Sequence, residues 1–287
     1  MTVSRFPKAA LFLKQQKGMG VSSEKEEGSS FITTRSLSES LKKHQKQKEN
    51  ECLRNLKDSC RLSNKPISDS MLFRFACYYN FNYELARTAI VEKFDDPHLH
   101  LRMDCELMQQ FENLVIYPLP GLMTKNKKHE VLYFNACRHF PAEMDTELLI
   151  NNICYVFNHM SMTEKQCRNG VALLVDLNQW TFKNFTNECS SKFLKALQNQ
   201  VPTKIASVVI VNAPRWFPNV WRMMKTALSP SFAKKVTILK NPTQLQGHLM
   251  GGYEKYLPVE MGYSRDSTEM VEDFVDMKVH VESKSMI

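Results

Sequence analysis

Few residues in this sequence could do chemistry, and none stands in a recognised catalytic arrangement. Asp176 ends a buried apolar stretch, where α/β enzymes often hold a catalytic carboxylate, but it has no companion acid, base or metal motif. His98 and His100 lie two residues apart, so they do not share a helical face that could bind a metal. The glycine-rich run at 247–252 does not open a long helix after a strand, so it indicates a turn. We therefore expect no enzyme activity, no metal site and no cofactor.

The eight cysteines indicate a reducing compartment. No two of them form a C-x-x-C pair, and most lie inside apolar segments, as Cys77 and Cys154 do. Disulfide frameworks and zinc sites usually show paired spacings, so buried free thiols are the expected state. No apolar run approaches the roughly 20 residues that a membrane helix needs. We therefore expect a cytoplasmic protein that does not span a membrane.

The net charge of +8 is concentrated near the N-terminus. Residues 1–66 contain 14 Lys and Arg against 7 Asp and Glu, whereas residues 263–287 contain 3 against 6. The lysine cluster at 42–48 lacks interleaved aromatic residues, so it indicates a solvated helix face and not nucleic-acid binding. Composition and pattern divide the chain into a disordered basic arm (1–36), a helical part (37–115), an α/β domain (116–262) and an acidic tail (263–287).

The pattern of elements changes near residue 130. Before it, apolar residues at helical spacing predict only helices, over 38–62, 71–79, a segment that Pro97 ends, and 98–114. After it, four apolar strands are predicted at 130–137, 170–177, 206–211 and 235–239. Helices are predicted between and around these strands, at 145–160, 189–197 and 215–228. This alternation predicts a mostly parallel α/β sheet, and the nearly continuous apolar strands predict burial on both faces.

The helix predicted at 215–228 has an unusual apolar stripe. Its positions fall at helical spacing: Phe217, Val220, Trp221, Met224 and Leu228. Such a stripe is by default part of a core, but bulky, adaptable Trp, Phe and Met residues replace the usual Leu and Val. The opposite side of the helix is polar and includes Arg222 and Lys225.

Four motifs in order resemble the CRAL-TRIO family of lipid-binding proteins over roughly residues 68–262. The matching segments are Leu72-Phe73-Arg74-Phe75 with Phe81 and Ala86, Val175-Asp176-Leu177, Val211-Asn212-Ala213-Pro214 with Phe217 and Trp221, and Leu257-Pro258-Val259-Glu260-Met261-Gly262. Tyr263 departs from the pattern, since the family usually has a second glycine there.

The resemblance implies a fold and a site. The fold is an α/β sheet that floors an apolar pocket, with a movable gate helix at about 216–228 and a small helical part in front. The implied ligand-binding residues are Val171, Leu173, Val175, Phe217, Val220, Trp221, Met224 and Leu228. The implied membrane or headgroup contacts are Arg222, Lys225 and Lys235. An open gate would expose an apolar patch beside basic residues, which suits an anionic membrane surface.

Departures from the family pattern narrow the ligand. Members that bind phosphatidylinositol hold its headgroup with polar and charged residues, and this sequence has Tyr79, Asn80, Thr203 and Phe232 at the matching positions. Only Lys235 is retained. The positions at which phosphatidylcholine-binding members place Ser and Thr hold Val171 and Leu173. Since an apolar wall cannot bond a phosphate, we expect a compact hydrophobic ligand, such as an isoprenoid, a sterol-like lipid or a fatty acyl species.

Two functions remain open from the sequence. In the first, the protein binds one hydrophobic lipid and transfers or presents it between membranes that it contacts transiently. In the second, it is a lipid-sensing adaptor that regulates a protein partner without transferring its ligand, and the basic arm supplies the contact. In either case we expect a monomer.

Overall fold

The computed structural model describes residues 34–62 and 67–284. The chain divides into two units, residues 1–44 and residues 45–287, and the sites described below belong to the second unit. Residues 1–33 of the predicted basic arm lie outside the described residues. All eight cysteines are free, and six of them are buried.

Helices form the first part of the chain and connect the parallel strands. The α-helices of the described residues are α1 (Thr34–Leu62), α2 (Asp69–Tyr78), α3 (Tyr83–Lys93), α4 (Cys105–Glu112), α5 (Thr146–His159), α6 (Glu164–Asn169), α7 (Asn187–Lys195), α8 (Phe217–Met224), α9 (Pro230–Ala233) and α10 (Ser267–Lys284).

A five-stranded sheet lies at the centre of the second unit, with its strands in the order in which they occur along the chain. The strands are β1 (Ile116–Met123), β2 (Glu130–Asn135), β3 (Val171–Asp176), β4 (Ile205–Val211) and β5 (Val236–Ile238). Strand β1 is antiparallel to β2, and all other pairs are parallel. All six residues of β3 are buried, which confirms the predicted mostly parallel sheet with a central strand covered on both faces.

Polar side chains determine where several helices begin. The Ser68 hydroxyl accepts a hydrogen bond from the Met71 N–H (3.2 Å) at the start of α2. The Asp104 carboxylate accepts one from the Leu107 N–H (2.8 Å) at the start of α4. Each cap satisfies an N–H group that the first helical turn leaves unpaired. The cap at Asp104 also explains why the helix predicted over 98–114 begins only at Cys105.

The short helices α6 and α9, strand β1 and helix α10 were not predicted. Strand β1 contains Pro118, Pro120 and Gly121, residues that argue against a strand, and it tolerates them because it lies at the edge of the sheet. Helix α10 lies within the predicted acidic tail (263–287) and packs against α4 and β1. The Phe274 side chain of α10 is buried, so this segment contributes to the core.

Arg168 attaches the helical part to the sheet domain. Its guanidinium carbon lies 5.0 Å from the centre of the Phe73 ring and 5.3 Å from that of Phe81. The same guanidinium donates to the Glu49 carboxylate of α1 at 2.6 Å. Cation–π contacts and a two-point ion pair therefore connect α1, α2 and the segment before β3.

Candidate ligand-binding cavity

The floor of an apolar cavity is formed by two rows of side chains that cross the parallel strands. In the first row, Leu173 of β3 pairs with Val208 of β4, which pairs with Val236 of β5. The second row consists of Phe134, Val175 and Ile210. All six side chains line the same cavity. Because alternate residues of a strand point to one face, the strand pattern itself produces this apolar surface.

Helix α8 forms the opposite wall. Four residues of the predicted stripe line the cavity: Phe217, Trp221, Met224 and Leu228. The Phe217 and Trp221 rings lie nearly parallel, with their centres 6.3 Å apart. The helix is shorter than predicted, because it ends at Met224 and continues as a 3-10 turn over Lys225–Ala227. The turn still brings Leu228 to the same wall.

Helix α7 and the segments near it close the side of the cavity. The α7 side is lined by Cys189, Ser190, Phe193, Leu194 and Leu197. The Phe193 ring lies 4.9 Å from that of Phe134 on the floor. A sequence signal for this wall was present, since Cys189, Phe193 and Leu197 recur at intervals of four residues. That pattern predicted the helix but not its position beside the cavity.

The cavity is narrow in this conformation. The cavity volume is about 90 Å³. Pockets for drug-sized ligands typically measure roughly 300–1,000 Å³. An acyl chain or an isoprenoid therefore needs the walls to move apart as it enters.

The structure places the remaining predicted site residues elsewhere. Val171 and Val220 are buried but do not line the cavity. Arg222 and Lys225 are exposed on the outer side of α8 and its turn. The Lys235 ammonium donates to the Ile205 carbonyl oxygen at 2.7 Å, and burial, followed by the nearby Lys204 charge, lowers its pKa.

Lys235 lines a second, more polar pocket outside the cavity. Lys204 and Ser231 also line this outer pocket. Phe232 and Leu197 line both the outer pocket and the apolar cavity, so their side chains form a partition between the two. The basic groups are thereby kept apart from the apolar interior.

One end of the cavity carries polar groups that the sequence analysis missed. His139, Asn184, Cys189 and Ser190 are part of its lining. His139 is 3 % exposed, and burial lowers the pKa of its imidazole to about 4. No sequence pattern indicated His139, because it lies in the irregular segment after β2 and reaches the cavity only through the tertiary fold.

Asp176 has a structural environment. Its carboxylate accepts hydrogen bonds from the Asn212 amide (2.8 Å), the Asn178 N–H (2.9 Å) and the Tyr133 hydroxyl (3.1 Å). Burial raises its pKa, while these bonds act in the opposite direction. Asn212 has a φ of 55°, a left-handed conformation that Asn tolerates better than most residues. Asp176 therefore holds together the carboxyl ends of β2, β3 and β4.

An aromatic stack lies beside the N-terminal end of α8. The Trp216 ring is stacked between Phe182, 4.1 Å away, and Trp180, 4.8 Å away. Trp180 is buried and lines the cavity, whereas Phe182 is 66 % exposed. The stack therefore runs from the cavity to the protein surface. Among the described residues, no helix is long and apolar enough to cross a membrane.

Comparison with known proteins agrees with this architecture. The profile of the CRAL/TRIO domain matches residues 117–262, which is half of the chain. A CRAL-TRIO domain-containing protein of Schizosaccharomyces pombe is 28% identical over 174 residues, which is 58% of this chain and 47% of that protein. The human tyrosine-protein phosphatase non-receptor type 9 is 24% identical over 133 residues, 44% of this chain but 22% of the phosphatase. The chain thus spans about half or less of the length of these relatives.

A solved structure extends the match in fold. The crystal structure of Sfh5 has a TM-score of 0.54 at 13% identity and covers 81% of this chain and 97% of its own. The chain belongs to the CRAL/TRIO domain family, which confirms the resemblance seen in the sequence. Proteins of this family bind lipophilic ligands and transfer them.

Proposed function

We propose that this protein binds a single hydrophobic lipid in the cavity between α8 and the sheet and carries it between membranes. The observation that supports this most directly is the lining, in which apolar floor rows face the Trp221 and Met224 side chains of α8. Such a lining favours an acyl, isoprenoid or sterol-like body over water. Among the described residues that form it, none is Lys, Arg, Asp or Glu.

The lining argues against a diacyl phospholipid. A phosphate group needs donors such as Lys or Arg to replace the water that it loses. The basic pair Lys204 and Lys235 lines the outer pocket, which Phe232 and Leu197 separate from the cavity. A compact, uncharged lipid can be bound by the apolar lining alone and needs no contact with Lys204 or Lys235.

Helix α8 is the gate in this proposal. Moving it away from the floor would widen the narrow cavity and expose its apolar inner side. Its outer side carries Arg222 and the 42 % exposed Met223, and Lys225 follows. An apolar surface beside basic residues favours binding to an anionic membrane, where lipid could enter and leave. Phe182, which is exposed and stacked on Trp216 just before α8, adds an apolar group near this helix.

The proposal does not include catalysis. Asp176 was the residue best placed for an enzyme, and its carboxylate is already engaged by three donors.

A cytoplasmic location and a monomeric state remain part of the proposal, as does the adaptor function as its alternative. The adaptor function depends on the arm at 1–36, most of which lies outside the described residues. Deleting residues 1–36 separates the two, since recruitment by a partner would fall while pocket occupancy persists.

A plug in the cavity tests the proposal. Val208 lies in the middle of the first floor row, so Val208→Trp should fill the space without changing any charge. The protein is incubated with phosphatidylcholine vesicles that contain a brain or liver lipid extract, re-isolated, and analysed by mass spectrometry. We expect about one hydrophobic lipid per wild-type molecule and a strongly reduced load in Val208→Trp.

The matched control is Val279→Trp, which makes the same change at a 42 % exposed position on α10. Thermal unfolding establishes that both variants are folded, since overpacking costs about 1–3 kcal/mol. Equal loading of the plug variant and the wild type would refute the cavity as the binding site. Stoichiometric phospholipid would refute the proposed ligand class.

A further inference from the structure

A separate pocket lies on the opposite face of the sheet from the apolar cavity. Its floor contains a row of Val131, Ala172 and Ser207, which pair across β2, β3 and β4, and a row of Leu174 and Val209. These positions alternate along the strands with those of the cavity floor, so their side chains point to the other face. Ala172 and Ser207 are small, and they leave room that larger side chains would fill. This rear pocket has a volume of about 420 Å³, which is within the range of small-molecule sites.

The wall of the rear pocket is basic. It consists of residues from the turn between β1 and β2 and from the segment 247–249. The Thr124 N–H donates to the His129 carbonyl oxygen at 3.0 Å, and the Lys125 N–H donates to the His248 carbonyl oxygen at 2.7 Å. These backbone bonds hold Lys125, His129 and His248 side by side in the wall.

The charge of this wall favours an anion. The turn that contributes Lys125 also carries the exposed Lys127 and Lys128. Among the described residues that line the rear pocket, none is Asp or Glu. The His129 imidazole is held in place, because its Nδ1 atom donates to the Asn169 carbonyl oxygen at 2.8 Å. An acidic group bound here would therefore meet a positive charge and polar side chains, and it would not be left unpaired.

Two further observations define the anion. Glu130, the acid next to the turn, precedes Val131 on β2 and so points to the other face of the sheet, where the Gln166 amide lies 3.4 Å from its carboxylate. Lys125 is the one Lys or Arg among the described lining residues. One such cation matches a single negative charge, and the apolar floor matches a hydrocarbon part. A singly charged amphipathic acid therefore fits this lining better than a polyanion does.

We propose that the rear pocket is a second binding site, which takes a small amphipathic carboxylate. The acid group lies against Lys125 and His248, and the hydrocarbon part lies on the floor row of Leu174 and Val209. The sheet itself separates this site from the apolar cavity, so the inference does not depend on the proposed function.

The test is photo-crosslinking of wild-type protein with a diazirine derivative of octanoate. Labelled peptides are identified by mass spectrometry, with unlabelled octanoate, acetate or octanol as competitors. We expect label on residues 124–129 and 247–249. We also expect octanoate to compete about tenfold better than acetate or octanol, because it alone has both an acid group and a hydrocarbon part.

Three results would overturn this inference. Label confined to α7 and α8 would assign the probe to the apolar cavity and leave the proposed function standing. Equal competition by octanol would refute the role of the acid group. No label at either place would refute the rear pocket as a site, whereas the proposed function is tested separately by the loading of Val208→Trp.

Two variants locate the site. Lys125→Gln removes the cation at an exposed position, so labelling of 247–249 should fall about tenfold, and Lys183→Gln is its control at an exposed position outside the pocket. Ser207→Phe fills the floor without changing any charge and should abolish that labelling, with Val279→Phe as its control. Thermal unfolding shows whether each variant is folded. Unchanged labelling in Lys125→Gln, or in folded Ser207→Phe, would overturn the assignment.

Discussion

A carboxylate on the inner side of α8 should prevent the protein from holding its ligand. In Trp221→Glu the new side chain replaces an indole that lines the cavity and lies beside Phe217. Of the described residues that line the cavity, none is basic. The carboxylate therefore either displaces α8 or takes up a proton. The change that costs less free energy determines how much the closed, loaded state is destabilised.

The cost of protonation gives the upper limit of that penalty. From a reference pKa of about 4.3, protonating Glu at about pH 7.4 costs roughly 4 kcal/mol, at about 1.36 kcal/mol per pH unit. That cost corresponds to a loaded population that is about a thousandfold smaller. At about pH 5.4 the same cost is roughly 1.5 kcal/mol, so loading should recover by about a hundredfold.

The assay is transfer of a fluorescent sterol or isoprenoid alcohol between vesicles, measured at both pH values. Val279→Glu is the control, because it places the same carboxylate at a 42 % exposed position on α10, away from the cavity and from the outer side of α8. Transfer should collapse in Trp221→Glu, recover partly at the lower pH, and change little in Val279→Glu. Equal effects of the two substitutions would refute the assignment of the inner face, and an unaffected Trp221→Glu would refute α8 as the gate.

Three further predictions follow from the partition, the outer side of α8 and the buried imidazole. Phe232→Ala should join the cavity to the outer pocket of Lys204 and Lys235, so mass spectrometry of re-isolated protein should show phospholipid that the wild type lacks. Combined Arg222→Glu and Lys225→Glu should weaken sedimentation with phosphatidylserine vesicles, most clearly at low salt, and leave neutral vesicles unaffected. Because the folded pKa of His139 is about 4, below its unfolded value, the unfolded chain binds more protons between about pH 6.5 and pH 4. Acidification to about pH 5 should therefore cost the wild type roughly 2 kcal/mol more stability than His139→Phe, as measured by urea unfolding.

Part of the floor and the inner side of α8 could be predicted because their residues obey local periodicities. Leu173 and Val175 lie two residues apart on one strand, so their side chains point to the same face of the sheet. Phe217, Trp221 and Met224 recur at helical spacing, and they face the cavity although the helix ends four residues earlier than predicted. Val220 belongs to the same stripe but lies outside the lining, because a stripe specifies the buried side of a helix and not the shape of the space beside it.

Other features depend on contacts between distant parts of the chain. Strand β1 contains prolines, which normally argue against a strand. They are tolerated because β1 lies at the edge of the sheet and pairs on one side only, and its own sequence does not reveal that position. Helix α10 has four buried apolar residues, yet its acidic composition hid them; they are Met270, Val271, Phe274 and Val275. His139 approaches Cys189 across 50 residues of sequence, so no local pattern could join them.

In the proposed function, the separation of the basic groups from the cavity is what favours an uncharged ligand. The basic groups that could bind a phosphate are present, but Lys235 is engaged by the Ile205 carbonyl and lies with Lys204 in the outer pocket. Phe232 and Leu197 stand between that pocket and the floor rows, and both are buried. The proposed selection against phospholipids then depends on these two apolar side chains as well as on the lack of basic residues in the described lining.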